Sequence, residues 1–166
     1  MRGCTVHASS GDDASEGREG NNRSSTFRVK NLPRKLIPEN YWTMTLSIGI
    51  DVGGTKVLGG VVDESGKILE TLRLETPREG GSALTQTIVD VAHQLLSKYP
   101  AESVGISAAG LVSSDRRTML ATPNIADWNG APLGDQLTHL IGLPVVLEND
   151  ANAAAWGEAR FGAGKW

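Results

Sequence analysis

Cysteine is nearly absent: the 166 residues contain one, Cys4. An internal disulfide and a cysteine-cluster zinc site are therefore excluded. Long apolar runs are missing too. The longest are strand-sized, such as Leu143 to Leu147, far below the ~20 residues of a membrane span. The start, Met1-Arg2-Gly3-Cys4, turns polar at once and has no hydrophobic core of a secretory leader. Positive charge is not in excess. Sixteen Lys and Arg against nineteen Asp and Glu give a net charge of -3, which argues against a nucleic-acid binder built on a basic face. Twenty glycines and seven prolines imply many turns, but no glycine period points to a collagen-like chain. A reducing, cytoplasmic setting is the default expectation.

Two unequal parts are present. Residues 1–43 carry a net charge of +2 and residues 44–166 a net charge of -5. From His7 to Thr26 there is no Val, Ile, Leu, Met or aromatic residue. Such a stretch cannot bury enough apolar surface to offset the entropy of ordering it. Residues 1–43 are expected to be a disordered tail, or a misassigned start ahead of a true first residue at Met44. Arg28, Lys30, Arg34 and Lys35 form a mild basic patch, best read as solvated.

From Leu46 onward the pattern is regular. Leu46–Ile50, Val57–Val62 and Lys67–Glu75 read as three strands joined by short turns. Leu84, Ile88, Val91, Ala92, Leu95 and Leu96 share one helix face, and Pro100 closes that helix. Ser103–Ser107 is a buried strand. Leu133–Ile141 is a short helix with Gly142 just past its end. Val145–Leu147 is a fifth strand, and Ala151–Arg160 an alanine-rich helix. The order β-β-β-α-β-α-β-α predicts an α/β fold with a mixed five-stranded sheet and helices on its faces.

Three segments carry chemistry. Asp51-Val52-Gly53-Gly54-Thr55-Lys56 joins the first two strands. Paired glycines let backbone N–H groups approach a ligand. Thr55 adds a hydroxyl, Lys56 a charge, and Asp51 can hold magnesium through water. The set suits a phosphate. It is not a Walker loop, which needs Gly-Lys-Ser/Thr before a helix, nor a dinucleotide fingerprint, because a strand follows the glycines. A plain glycine hairpin with a polar tip is the alternative reading.

Glu148-Asn149-Asp150-Ala151-Asn152 closes a strand and opens a helix. One of these residues would suffice as a cap; four polar residues in five exceed that need. Asp150 suits a general base acting on a hydroxyl, and Asn149 can both donate to and accept from a sugar hydroxyl. Ser107-Ala108-Ala109-Gly110-Leu111 offers small residues on which a ligand can lie. Asn124, in Ala121-Thr122-Pro123-Asn124-Ile125, can bond a second sugar hydroxyl. Trp128 lines a pocket or packs, packing being the better reading. His7, His93 and His139 are too scattered to hold a metal. A base paired with a phosphate loop points to phosphoryl transfer.

Together these segments resemble the ROK family of sugar kinases and repressors, most like its bacterial glucokinases. Ile48 to Lys56 resembles the family's first phosphate motif. Gly105 to Gly110, then Pro123-Asn124-Ile125 with Trp128, then Glu148 to Ala155 are similar to its sugar-binding segments, in the same order. The resemblance covers residues 46–166. It implies the N-terminal lobe of an actin-like, ribonuclease-H-like fold. It implies that Asp150 is the catalytic base, that Gly110, Asn124 and Asn149 hold the sugar with it, and that Asp51, Gly53, Gly54, Thr55 and Lys56 face ATP phosphates and magnesium. Glucose is the hexose it favours, with mannose, fructose, allose and N-acetylated hexoses open, and polyphosphate is a possible donor. Full-length members are expected to be homodimers. Their second lobe, second phosphate loop and zinc cluster would follow residue 166, so this chain is expected to be inactive or nearly so alone. A sugar-responsive transcriptional regulator of the same family is a second reading, disfavoured by a tail without helical periodicity. A non-catalytic sugar-binding module is a third.

Overall fold

A computed structural model describes residues 45–164. Residues 1–44 lie outside the described part, as do 165 and 166, and with them the expected tail, Cys4 and the basic patch. The elements in order are β1 (Ser47–Val52), β2 (Lys56–Val62), β3 (Ile68–Glu75), α1 (Gly81–Leu96), β4 (Ser103–Ala108), β5 (Leu111–Val112), β6 (Met119–Ala121), α2 (Leu133–Ile141), β7 (Val145–Asn149) and α3 (Asp150–Phe161). A short 3-10 turn, Ala126–Trp128, precedes α2.

The main sheet has the strand order β3-β2-β1-β4-β7. The first three strands form an antiparallel meander, while β4 and β7 run parallel to β1. This is the mixed five-stranded sheet that the sequence predicts, and the fold is that of the actin-like ATPases. Period-two alternation sorts the side chains. Ile48, Ile50, Val52, Val57, Val61, Val104, Ile106, Ala108, Val145 and Leu147 are buried on one face. There they meet Leu84, Ile88, Val91, Ala92 and Leu95 of α1 and Leu133, Leu137 and Ile141 of α2. Each Val, Leu or Ile among them, fully buried, contributes about 1.5–3 kcal/mol.

The helix ends follow different rules. α2 stops at Gly142, which takes the left-handed conformation (φ 80°) as its C-cap. α1 has no side-chain cap on its preceding residue. Instead Gly81 N–H donates to Asp127 Oδ2 at 3.0 Å, and Trp128 Nε1–H donates to the Gly81 carbonyl at 3.3 Å. Trp128 is buried, so it packs rather than lines a pocket. α1 therefore begins three residues before its first apolar-face residue, Leu84, held by a contact far away in sequence.

Two differences from the sequence-based expectation concern the site. β1 runs on through Asp51 and Val52, and β2 starts at Lys56, so the glycine turn is only Gly53–Thr55. The segment after β4 contains a small hairpin, β5 with β6. Strands of two and three residues leave no periodic signal to read.

Candidate functional site

Parallel β1, β4 and β7 deliver their carboxyl ends to one edge of the sheet. Val52 stands in register with Ala108, and Ala108 with Asn149. Neighbouring strands lie about 4.8 Å apart, so the turn after β1 and the start of α3 leave this edge about 10 Å from each other. Asp150, the first residue of α3, is exposed there.

β7 passes into α3 without a loop. Asn149 is the N-cap: its Oδ1 accepts from Asn152 N–H at 3.1 Å, satisfying a donor that the helix leaves free. Its Nδ2 donates to the Gly110 carbonyl at 2.9 Å. The amide is thus engaged at both ends, tying the β4–β5 turn to the helix start. Gly110 has φ 148°, and a Cβ there would lie 2.3 Å from the Ala121 carbonyl oxygen. Only glycine fits. Asp150 Oδ1 accepts from Ala151 N–H at 2.9 Å. Glu148 Oε1 accepts from Asn149 N–H at 2.9 Å, and its Oε2 lies 3.3 Å from Arg116 Nη2.

The glycine turn closes with Gly53 N–H donating to the Lys56 carbonyl at 2.9 Å. Neither Gly53 nor Gly54 takes a left-handed backbone. A Cβ at Gly54 would meet nothing within 4 Å. Turn geometry therefore does not demand glycine at 54; the missing side chain leaves open space above the backbone. A cavity of about 540 Å³ lies beside it, lined by Gly53, Gly54, Thr55, Thr76, Arg78 and Asn124 among others. Buried Thr122 sets the Asn124 loop, its Oγ1 accepting from Asn124 N–H at 3.3 Å and from Ile125 N–H at 3.2 Å.

The structure thus brings Gly53, Gly54, Thr55 and Asn124 into one cavity. Gly110 and Asn149 are joined to each other beside it. Asp150 and Lys56 line neither this cavity nor the groove on the opposite face of the sheet. Asp51 belongs to that groove, where its Oδ1 accepts from Ser107 Oγ at 2.9 Å. Strand alternation is the reason: Val52 points to the α1 side, so Asp51 points away. Asp51 offers a single carboxylate, and among the described residues no three acids or histidines converge on a metal position. That fits only a magnesium ion that keeps water and takes its other ligands from phosphates. His93 and His139 are exposed on α1 and α2.

Sequence reasoning missed Thr76, Arg78, Thr122 and Arg116. Thr76-Pro77 is legible as an interruption of β3, but nothing local says that it reaches the glycine turn.

The sheet, the glycine turn at its edge and the polar start of α3 define the class: the actin-like ATPase fold. The sequence profile of the ROK family matches residues 47–166, and the chain belongs to that family. It is 48% identical over 122 residues to a glucokinase of Streptomyces coelicolor, covering 74% of this chain and 38% of that protein. A Streptomyces griseus ROK glucokinase, solved with glucose and AMPPNP, superposes with a TM-score of 0.68 at 50% identity, covering 72% of this chain and 38% of that one. An inorganic polyphosphate/ATP glucomannokinase of Arthrobacter sp. strain KM gives 0.67 at 34% identity, covering 72% and 50%. The chain therefore spans about 38% of the length of its glucokinase relatives. No helix among the described residues is long and apolar enough to cross a membrane.

Proposed function

We propose that this chain supplies the nucleotide-phosphate side and the general base of an ATP-dependent hexose kinase, with glucose as the acceptor. The observation that supports this reading is the shared edge: Val52, Ala108 and Asn149 in register, with the glycine turn and Asp150 leaving the sheet about 10 Å apart. That gap admits a sugar hydroxyl next to a terminal phosphate.

In this reading Asp150 accepts the proton of the hexose hydroxyl while that oxygen forms a bond to phosphorus and the bond to the leaving phosphate breaks. A positioned base contributes about 10²–10⁴-fold. Gly53 N–H closes the turn on the Lys56 carbonyl, which leaves the backbone N–H groups of Gly54 and Thr55 to hold phosphate charge, where most of the acceleration in phosphoryl transfer arises. Asn124 holds a sugar hydroxyl from the cavity side. Asn149 places the Gly110 carbonyl and the first turn of α3. Asp51 would hold magnesium through water from the opposite face; the ion would neutralise phosphate charge. The glucokinase relatives and the AMPPNP-bound neighbour favour glucose and ATP. The glucomannokinase keeps polyphosphate and mannose within the class.

The described residues line an open cavity and do not enclose a reacting pair, so the chain by itself is expected to turn over slowly or not at all. The test grafts residues 47–166 onto the remainder of the Streptomyces coelicolor glucokinase. The folded chimera should phosphorylate glucose with ATP, and Asp150→Asn should lower its kcat by about 10²–10⁴-fold. A folded chimera whose rate is indifferent to Asp150→Asn removes the base from the mechanism.

A further inference from the structure

The glycine turn is bolted to a second loop. Thr76 N–H donates to the Thr55 carbonyl at 3.2 Å, and Thr76 Oγ1 donates to the Gly53 carbonyl at 2.7 Å. Both ends of the turn are thereby fixed to one residue at the end of β3. Pro77 follows with a restricted φ, and then Arg78. Arg78 lines the same cavity as Gly53, Gly54 and Thr55. Among the described residues no hydrogen bond or ion pair holds its guanidinium. Glu75, the acid in the same lining, stands across the β2–β3 ladder from Lys56. The remaining lining is backbone, small residues, Asn124 and apolar side chains. A cation without a partner among the described residues, two residues from a double anchor on the glycine turn, has a chemical use.

We infer that Thr76–Arg78 is the second wall of the phosphate cavity and that the Arg78 guanidinium grips a phosphoryl group held on the glycine turn. The inference rests on the proposed reading of Gly53–Thr55 as a phosphate loop. Arg78 is the contacting residue; Thr76 positions it. A planar guanidinium presents paired N–H donors that match two phosphate oxygens. A Lys at this place would keep charge but lose the fork. The phosphoryl group can come from the donor or from a phosphorylated sugar, and two probes separate these sources: tripolyphosphate and glucose 6-phosphate.

The experiment measures binding of both probes to the 166-residue chain by calorimetry at two salt concentrations, with Arg78→Ala, Arg78→Lys and Arg73→Ala. Arg73 is exposed on β3 and lines neither the cavity nor the groove, so its removal controls for net charge alone. The expected result is tripolyphosphate binding that Arg78→Ala weakens about 10-fold and Arg78→Lys about 3-fold, while Arg73→Ala stays within about 2-fold. Sensitivity confined to glucose 6-phosphate would also support the grip and assign it to the sugar phosphate. Equal affinity of the Arg78→Ala chain for both probes overturns the inference and leaves the glycine turn as an anion site. No binding of either probe by the unaltered chain overturns the phosphate-loop reading and the inference with it.

Discussion

The two faces of the central sheet are built from the same strands and behave differently. On the α1/α2 face the strands present Ile, Val and Leu, buried in β1, β2, β4 and β7 and partly buried at Leu72 and Leu74 of β3. On the α3 face they present Gly49, Asp51, Gly60, Gly105, Ser107 and Val146 above a groove of about 400 Å³. α3 has no buried residue, and Trp156 and Phe161 stay largely exposed. Its last turn rests the Phe161 ring on Gly66, in the turn between β2 and β3. One face therefore carries most of the stability. The other face is open and lined mostly by small and apolar residues such as Gly49, Leu58, Gly60 and Val62, and the polar groups gather at the edge. The residues proposed to bind phosphate and sugar sit where the packing is loosest, because a close-packed core has no room for a ligand.

Substitutions of one kind on both faces sharpen this contrast. The largest effect belongs to Leu137→Ala, which empties a fully buried position of α2. It should destabilise by about 2–5 kcal/mol in chemical denaturation. Gly59→Ala comes next. Its new Cβ would lie 2.4 Å from Val91 Cγ1, and such overpacking costs about 1–3 kcal/mol. Gly105→Ala is its partner on the opposite face, where a Cβ meets nothing within 4 Å. It should change stability by no more than about 0.5 kcal/mol. Equal costs for the two glycines would break the comparison.

Asp63 tests the turn on which Phe161 rests. Its Oδ1 accepts from Ser65 Oγ at 2.6 Å, Ser65 N–H at 2.9 Å and Lys67 N–H at 3.1 Å. The Ser65 hydroxyl above all holds this carboxyl below the ordinary carboxylate range. A depressed folded pKa stabilises above the unfolded value and loses that contribution as pH falls through the folded one. The Tm difference between the chain and Asp63→Asn should be greatest near neutral pH and shrink in acid. A difference that grows on acidification contradicts the assignment. The smallest effect is expected from Trp156→Ala, within about 0.5 kcal/mol, because that side chain is 69% exposed.

How much of this was legible depends on whether a signal is local. Alternation in Leu46–Ile50 and the four- and three-residue spacings of Leu84, Ile88 and Val91 announce a strand and a helix, because burial of one face repeats with the period of the backbone. Glu148 to Asn152 is conspicuous for polarity at a strand end, and its joining to the edge follows once the strands are parallel. Arg78 gave no sign, since an arginine after Thr-Pro resembles any solvated loop residue. The β5–β6 hairpin was silent for its shortness. The start of α1 was not legible because Asp127, 46 positions further along, holds its first N–H.

The sequence by itself determined the five strands of the main sheet, the three helices, the buried face of the central strands and which side chains have chemistry suited to a phosphate or a sugar. Those properties are written in residue type and spacing. The tertiary structure alone decided which of those residues meet. It placed Asn124 with the glycine turn and sent Asp51 to the opposite face. It tied Thr76 to both ends of the turn and clasped Asn149 to Gly110. Such contacts join residues tens of positions apart, and only the parallel register of β1, β4 and β7 and the loops that leave their ends can set them.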